Sequence, residues 1–360
     1  MTLAVSVAAF SLALTGCSSS NDSGSTASES ASAPAGKVGV ILPDSASSAR
    51  WETADRKYLE EAFQAAGVEY DIQNAQGDKA KFQTIADQML NSGVSTLMIV
   101  NLDSDTGAAV IKKANAQGVK VIDYDRLTIG GNAAYYVSFD NVAVGTKIGE
   151  GLVTCMQNNG DTSGPVALLN GSPTDNNATL FKQGYETAIT SAGYTVAADQ
   201  DVPEWDNTKA GTIFEQMYTK ANGDFIGVAA ANDGLGGAAI SVLDRNGQAG
   251  KIPVTGQDAT DEGLQRVLLG TQCMTVYKAV KQEADAAAAL AIALAKGEEP
   301  TVEQTTTDPD TGEAVPSVLL EPVAIFKENV KDVVADGFTT ADNLCTTQKL
   351  KQACTEAGVE

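Results

Sequence analysis

The groups in this chain best placed for chemistry are carboxylates, amides and guanidiniums that stand where apolar runs stop. Val119-Lys120-Val121-Ile122-Asp123-Tyr124 leaves a turn at Gly118 and closes on Asp125-Arg126. A buried strand with that ending sets an acceptor beside a forked donor at the carboxyl edge of a sheet, where open α/β sheets bind small ligands. A single such pair is equally a surface ion pair of little consequence, but the pattern repeats. VGVIL runs to Pro43-Asp44 and on to Ala49-Arg50-Trp51, TLMIV stops at Asn101, and YVSF stops at Asp140-Asn141. Farther along, VALLN leads into Gly171-Ser172-Pro173-Thr174-Asp175-Asn176-Asn177, and a strand and loop reach Pro203-Glu204-Trp205. GVAAA then stops at Asn232-Asp233, and PVTGQ at Asp258.

Each of these residues has a plainer use. Asp175, Asn232 and Asp258 can cap the helices that follow them, and a lone tryptophan is commonly a packing residue. Capping and ligand contact are compatible, because one strand-to-helix corner serves both. Taken together, the set of Asp, Asn and Arg suits neighbouring hydroxyls on a sugar, each able to donate one bond and accept others. Trp51 and Trp205, the two tryptophans of the chain, can pack flat against the C–H face of a pyranose. Phosphate would call for a Gly-rich loop with Lys, and no GxxxxGK[ST] run occurs. With no histidine, the commonest general base and metal ligand are missing. Asp125 and Asp258 could be cast as a glycosidase pair, but among so many amides the residues predict binding, with no enzymatic activity, cofactor or metal.

The elements that must hold these corners follow a steady beat of apolar strand, polar stop, amphipathic helix and glycine. The glycine-to-strand step recurs at Gly67, Gly93, Gly118, Gly193, Gly223 and Gly250, where glycine supplies the left-handed helix cap. KAKFQTIADQMLNS and NTKAGTIFEQMYTKAN place apolar residues three and four apart, as helices do. Strands alternating with helices predict parallel sheets covered on both faces. The beat breaks at 127–165, read as a crossing between lobes, and loosens again after Asp258. The spacing there predicts a long helix over 276–297, an acidic loop and a returning strand near 317–325. The fold class expected is α/β, with two similar doubly wound parallel-sheet lobes joined by a multi-strand hinge. Residues 37–139 plus 276–298 would form the first lobe, 140–275 plus 299–342 the second, and 343–360 a C-terminal tail.

The ends and the charge set the context. Residues 1–17 are an uncharged apolar run closing on Leu14-Thr15-Gly16-Cys17, too short for a membrane span. This run resembles a lipoprotein signal peptide, with cleavage before a lipidated Cys17. Residues 18–36 hold eight serines in nineteen positions and read as a flexible tether. The expected location is therefore the outer face of the cell membrane. Cys155, Cys273, Cys345 and Cys354 remain in the body. Export permits disulfides in any of three pairings, with Cys345 and Cys354 the first choice because they are near in sequence. A net charge of −22 at pH 7 argues against nucleic acid and anionic lipid as partners.

From Lys37 to about Gly337 the chain resembles the periplasmic sugar-binding proteins of ABC importers, which share the ribose-binding-protein fold (type I periplasmic binding protein). Its motifs are most similar to the D-xylose-binding members. They are ARW at 49–51, YDR at 124–126, SFDN at 138–141, GSPTDNN at 171–177, ND at 232–233, GQDA at 256–259 and TVYK at 275–278. The tail with Cys345 and Cys354 lies outside the resemblance. Carried over residue by residue, the resemblance implies that Arg50 contacts sugar oxygens and Trp51 lines the cleft. Asp125 and Arg126 would hold adjacent hydroxyls, and Asp175, Asn177, Asn232 and Asp258 would answer from the other lobe. Trp205 would stack on the ring, and Lys278 would reach in from the hinge. The implied partners are a monosaccharide and a membrane permease, with the protein itself a monomer. A sugar-sensing subunit for a chemoreceptor or kinase, or a binder of ribose, glucose, galactose or arabinose, are the alternatives. A DNA-binding regulator of the same fold would need a basic helix-turn-helix ahead of residue 37.

Overall fold

The structure is a computed structural model that describes residues 36–359, so the expected signal peptide, Cys17 and nearly all of the serine tether lie outside the described residues. The chain opens with β1 (Lys37–Leu42), α1 (Arg56–Ala66), β2 (Tyr70–Asn74), α2 (Lys79–Asn91), β3 (Val94–Ile99), α3 (Ser104–Ala116), β4 (Lys120–Tyr124) and β5 (Tyr135–Phe139). One π-helical turn over Trp51–Asp55 precedes α1. Val38, Val40 and Leu42 face a core shared with Leu59 and Phe63 of α1, whereas Ile41 faces the core of α2 and α3. A strand buried on both faces reads as a continuous apolar run, and KVGVIL does. Asp78 and Asp103 accept from the first-turn amides of α2 and α3, and Gly67, at φ 65°, closes α1.

After Phe139 the chain crosses into α4 (Asn141–Asn158), β6 (Pro165–Asn170), α5 (Asn176–Ser191), β7 (Thr195–Asp201), α6 (Asn207–Lys220), β8 (Gly227–Ala230), α7 (Asp233–Arg245) and α8 (Asp261–Leu269). α4 lies tight against α5 because Gly145 has no side chain: a Cβ there would sit 2.1 Å from the carbonyl oxygen of Phe181. Next come β9 (Thr275–Tyr277), α9 (Val280–Ala295), β10 (Gln304–Thr307), β11 (Ala314–Leu320), β12 (Val323–Ile325), α10 (Val330–Ala335), α11 (Ala341–Leu344) and α12 (Gln348–Ala357). β6 pairs in parallel with β7 and β8, Val254 bridges Val228 in parallel, and the 253–258 segment bonds to the β9 side through Cys273, Val276 and Asp258. The order β7, β6, β8, 253–256, β9 thus repeats β2, β1, β3, β4, β5 of the first sheet. Asp258 occupies the corner that Asp125 occupies in the first lobe.

The chain passes between the lobes three times: after Phe139, between Tyr277 and Val280, and between Leu320 and Val323. α9 packs on the first sheet. One expectation is corrected. Residues 299–342 do not all belong to the second lobe, because β11 pairs in parallel with β5 and β10 pairs antiparallel with β11, both in the first sheet. Val315 packs with Leu127 and Tyr136, and Asp308 accepts from the amide of Gly130 at 2.7 Å. The alternation of helix and strand announces a returning strand but does not say which of two open sheet edges receives it. Only β12 and α10 of that stretch join the second lobe. Disulfides link Cys155 with Cys273 and Cys345 with Cys354. The second of these staples α11 to α12, which pack against α8.

Candidate functional site

Corners from both sheets meet in one cleft. Ser47, Ser48, Arg50, Trp51, Asp125 and Arg126 from the first lobe face Asp175, Asn177, Phe181, Trp205, Asn232, Gln257 and Asp258 from the second, with Lys278 at the crossing. They border about 320 Å³ of space not filled by atoms, part of it continuous with open solvent. The ten residues to which the resemblance assigned sugar contacts all lie on this wall, whereas the other polar strand ends, Asp44, Asn101, Asp140, Asn141 and Asp233, do not. Sequence reasoning missed Ser47, Ser48, Phe181 and Gln257. Gln257 sits inside the GQDA motif and was legible there, while Phe181 reads as an ordinary core position of α5.

The two walls are held in different ways. In the first lobe Arg50 is 4% exposed and is gripped by carboxylates. Nε and Nη2 donate to Asp55 at 2.8 and 2.6 Å, Nη2 also to Glu283 at 2.5 Å, and Nη1 to Asp125 Oδ2 at 3.0 Å. Burial works against its charge, but Asp55, Glu283 and Asp125 more than offset that and raise its pKa well above the ordinary arginine value. A guanidinium has five N–H donors, and four of those on Arg50 are committed here. Its guanidinium carbon also lies 4.6 Å from the centre of the Trp51 ring, whose Nε1 donates to Ser47 Oγ.

Asp125 follows β4 with φ 62°, a left-handed conformation that costs a non-glycine residue on the order of 1–3 kcal/mol. The surroundings enforce it. Its carbonyl accepts from Ser138 Oγ at 2.7 Å and from Asn177 Nδ2 at 2.9 Å, and Asn177 also reaches Oδ1 at 3.1 Å. Burial disfavours the Asp125 anion, yet the Arg50, Lys278 and Arg126 charges beside it hold its carboxyl below the usual carboxylate range.

In the second lobe helix starts do the holding. Asp175 caps α5 through the amide of Asn177, and Asn232 caps α7 through the amide of Leu235. Asp175 Oδ2 accepts from Trp205 Nε1 at 3.1 Å, and burial leaves its carboxyl above the ordinary value despite Arg126. Glu204 and Trp205 have φ 61° and 55°, which turns the indole back over Gly171. A Cβ on Gly171 would lie 2.1 Å from the indole, so the glycine of GSPTDNN is what leaves room for the tryptophan. Asp258, with φ 99°, accepts from Ser48 Oγ of the first lobe at 3.2 Å.

The lobes are closed on one another. Asn177 reaches Asp125, Asn232 Nδ2 donates to the carbonyl of Ser47 at 3.3 Å, and Arg126 Nε lies 3.0 Å from Asp175 Oδ2. Proximity is not satisfaction, however. Arg126 Nε, Asp258 Oδ1 and Gln257 Oε1 are buried without an aligned hydrogen-bond partner, although Asp258 Oδ1 is 3.1 Å from Lys278 Nζ. Buried polar atoms left unpaired in a protein interior are costly, and these three line one cavity as a donor and two acceptors. Among the described residues no group of three His, Cys, Asp or Glu is arranged to hold a metal, and no helix is long and apolar enough to cross a membrane.

Comparison with known proteins agrees with this architecture. Residues 38–299 match the periplasmic binding protein domain. The chain belongs to the periplasmic binding protein family. It is a binding protein rather than an enzyme, and its two lobes are the type I fold of that family. The D-xylose-binding periplasmic protein of Escherichia coli is 35% identical over 307 residues, covering 84% of this chain and 90% of that protein. The multiple sugar-binding periplasmic receptor of Rhizobium radiobacter is 33% identical, covering 86% and 92%. Among solved structures, an ABC transporter solute-binding protein from Clostridium phytofermentans with bound β-D-glucose superposes with a TM-score of 0.77. It is 27% identical, covering 86% of this chain and 99% of that one.

Proposed function

We propose that this periplasmic binding protein takes one aldopyranose, D-xylose or a close relative, between its lobes and presents the closed form to an ABC permease. The observation that carries the reading is the lining of the cleft. Arg126 Nε, Asp258 Oδ1 and Gln257 Oε1 lack an aligned hydrogen-bond partner, the first two having only an ion-pair neighbour, and Trp51 and Trp205 stand among them. Hydroxyls of a single ring both donate and accept, and its C–H faces match indole. Arg50, Asp125, Arg126, Asp175, Asn177, Asn232, Asp258 and Lys278 supply the polar contacts. Bonding to residues of both lobes favours the closed state over the open one, and that difference drives closure. The similarity to proteins named as D-xylose-binding supports the choice of sugar.

Isothermal titration against pentoses and hexoses tests this. D-xylose is expected to bind most tightly, and absence of binding by any aldose at millimolar concentration overturns the reading. The relatives named as multiple sugar-binding favour a second reading, a receptor of broad specificity, which equal affinities for several aldoses would reveal. We further propose that the protein is tethered through a lipid on Cys17. In fractionated cells Cys17→Ser should then move it from membrane to supernatant.

A further inference from the structure

Arg50 stands in the wall of the cleft, but the groups that hold it lie behind that wall. Asp55, at the end of the π-helical turn, takes Nε and Nη2 and itself accepts from Tyr124 Oη at 2.6 Å. Glu283, in the first turn of α9, takes Nη2 through Oε2. Both carboxyls are fully buried. α9 begins directly after the crossing that carries Lys278, so Glu283 joins the hinge to the sugar side of the first lobe. We propose that Asp55 and Glu283 are positioning residues for the site, and that Glu283 works as a neutral acid whose ionisation loosens the Arg50–Asp125 pair and weakens sugar binding. The inference rests on the sugar-binding reading above.

The geometry favours the neutral form. Glu283 Oε1 is buried with no hydrogen-bond partner, and an anionic oxygen without a donor is far costlier to bury than a protonated one. The groups facing Glu283 are Arg50 and Asp55 from the segment before α1, Tyr124 and Asp125 at the end of β4, Tyr136 on β5, and Lys278 at the crossing. One guanidinium already serves Asp55 and Asp125, so a third anion adds repulsion that Lys278 only partly offsets. Burial first, opposed by Arg50, pushes the Glu283 carboxyl up to about 8. Once ionised, Glu283 draws the guanidinium it already holds through Nη2 toward α9 and repels Asp125, which is bonded to Nη1 and to Asn177 of the other lobe.

The test uses the whole chain and D-xylose, titrated calorimetrically from about pH 6 to about pH 9.5, with thermal melting of the sugar-free protein over the same range. The wild-type Kd should rise about fivefold between pH 7 and pH 9, on the way to a limit of about tenfold at higher pH, the change expected if binding raises this one pKa by a single unit. Glu283→Gln, the neutral isostere, should bind within about threefold of wild type at pH 7 with no such rise, whereas Glu283→Ala and Asp55→Asn should weaken binding at every pH. Without sugar, the folded state keeps a proton that the unfolded chain releases, so wild-type stability falls as pH rises from about 4.5 to about 8. The melting temperature of Glu283→Gln should therefore gain on that of wild type across this window. A wild-type Kd flat with pH, or a rise that persists in Glu283→Gln, overturns the inference while leaving sugar binding intact. If no aldose binds, the functional reading fails, and the melting comparison still decides whether Glu283 is the titrating group.

Discussion

Asp125 and Asp258 occupy matching corners of the two lobes, both left-handed and both nearly buried, yet they are used differently. Asp125 has both carboxylate oxygens engaged: Arg50 and Asn177 take one each, and Ser138 and Asn177 take its carbonyl. Asp258 accepts one hydroxyl from Ser48 and keeps Oδ1 without an aligned donor. The first-lobe acid is part of a buried ion cluster that fixes the wall of the cleft and one latch between the lobes. The second-lobe acid has one cation beside it, Lys278, and an Oδ1 without an aligned donor, on a scaffold made rigid by helix starts. Symmetry of fold therefore does not give symmetry of role. What distinguishes the corners is the cation behind them, Arg50 for one and Lys278 for the other.

The widest separation between the corners should come from truncating each acid. Asp125→Ala leaves Arg50 short of a partner in a buried site, so stability should drop by about 3–5 kcal/mol and sugar affinity by more than about a hundredfold. Asp258→Ala removes the acceptor of Ser48 and leaves the buried Lys278 ammonium without the carboxylate 3.1 Å from it. Its affinity loss should be roughly 10- to 100-fold, corresponding to about 1.5–3 kcal/mol for a hydrogen bond with a charged partner, with a stability loss smaller than that of Asp125→Ala because one cation contact is lost rather than a shared cluster. Equal stability losses in calorimetric melting would dissolve the distinction.

Gly171→Ala sharpens the comparison from the second lobe alone. The new methyl must displace the Trp205 indole, and affinity should fall about tenfold with a stability cost of about 1–3 kcal/mol; unchanged tryptophan fluorescence would argue against it. The smallest effect is in pH dependence. Burial raises Asp123 of the first lobe to about 7 and Asp233 of the second to about 6. Each folded pKa lies above its unfolded value, so the stability each contributes is complete below about pH 4 and lost as pH rises through those values. Asp123→Asn should flatten the decline in melting temperature between about pH 5 and pH 7 more than Asp233→Asn does, by a few degrees at most. A larger effect from Asp233→Asn reverses the ranking of the lobes.

Much of the site was legible because strand-to-helix corners are local. GSPTDNN and ND announce helix caps, and Asp175 and Asn232 are caps that also face the cleft. Glu283 left a fainter signal, a single acid on the apolar stripe of an alanine-rich helix with Val280, Ala284, Ala287 and Ala291. Asp55 left none, since DRK after a tryptophan reads as an ordinary charged helix start. In the sequence β10 reads as part of the acidic loop, because QTTT is polar and largely exposed. β11 falls to the wrong lobe because periodicity reports that a segment is a strand, whereas pairing depends on which edge is open and which apolar faces remain uncovered.

The sequence by itself determined the alternation of strands and helices, the two-lobed class and the identity of the polar residues at the sheet edges. These follow from periodicity, glycine caps and side-chain chemistry within a few residues of each position. Only the tertiary structure decided that Arg50 spends four of its five donors on carboxylates, that both carboxylate oxygens of Asp125 are hydrogen-bonded while Asp258 Oδ1 is not, and that β11 returns to the first sheet. Hydrogen-bond partners and desolvation depend on groups brought together from segments far apart in the chain, as Arg50 and Glu283 are here. No local pattern encodes how many of those groups arrive at one atom.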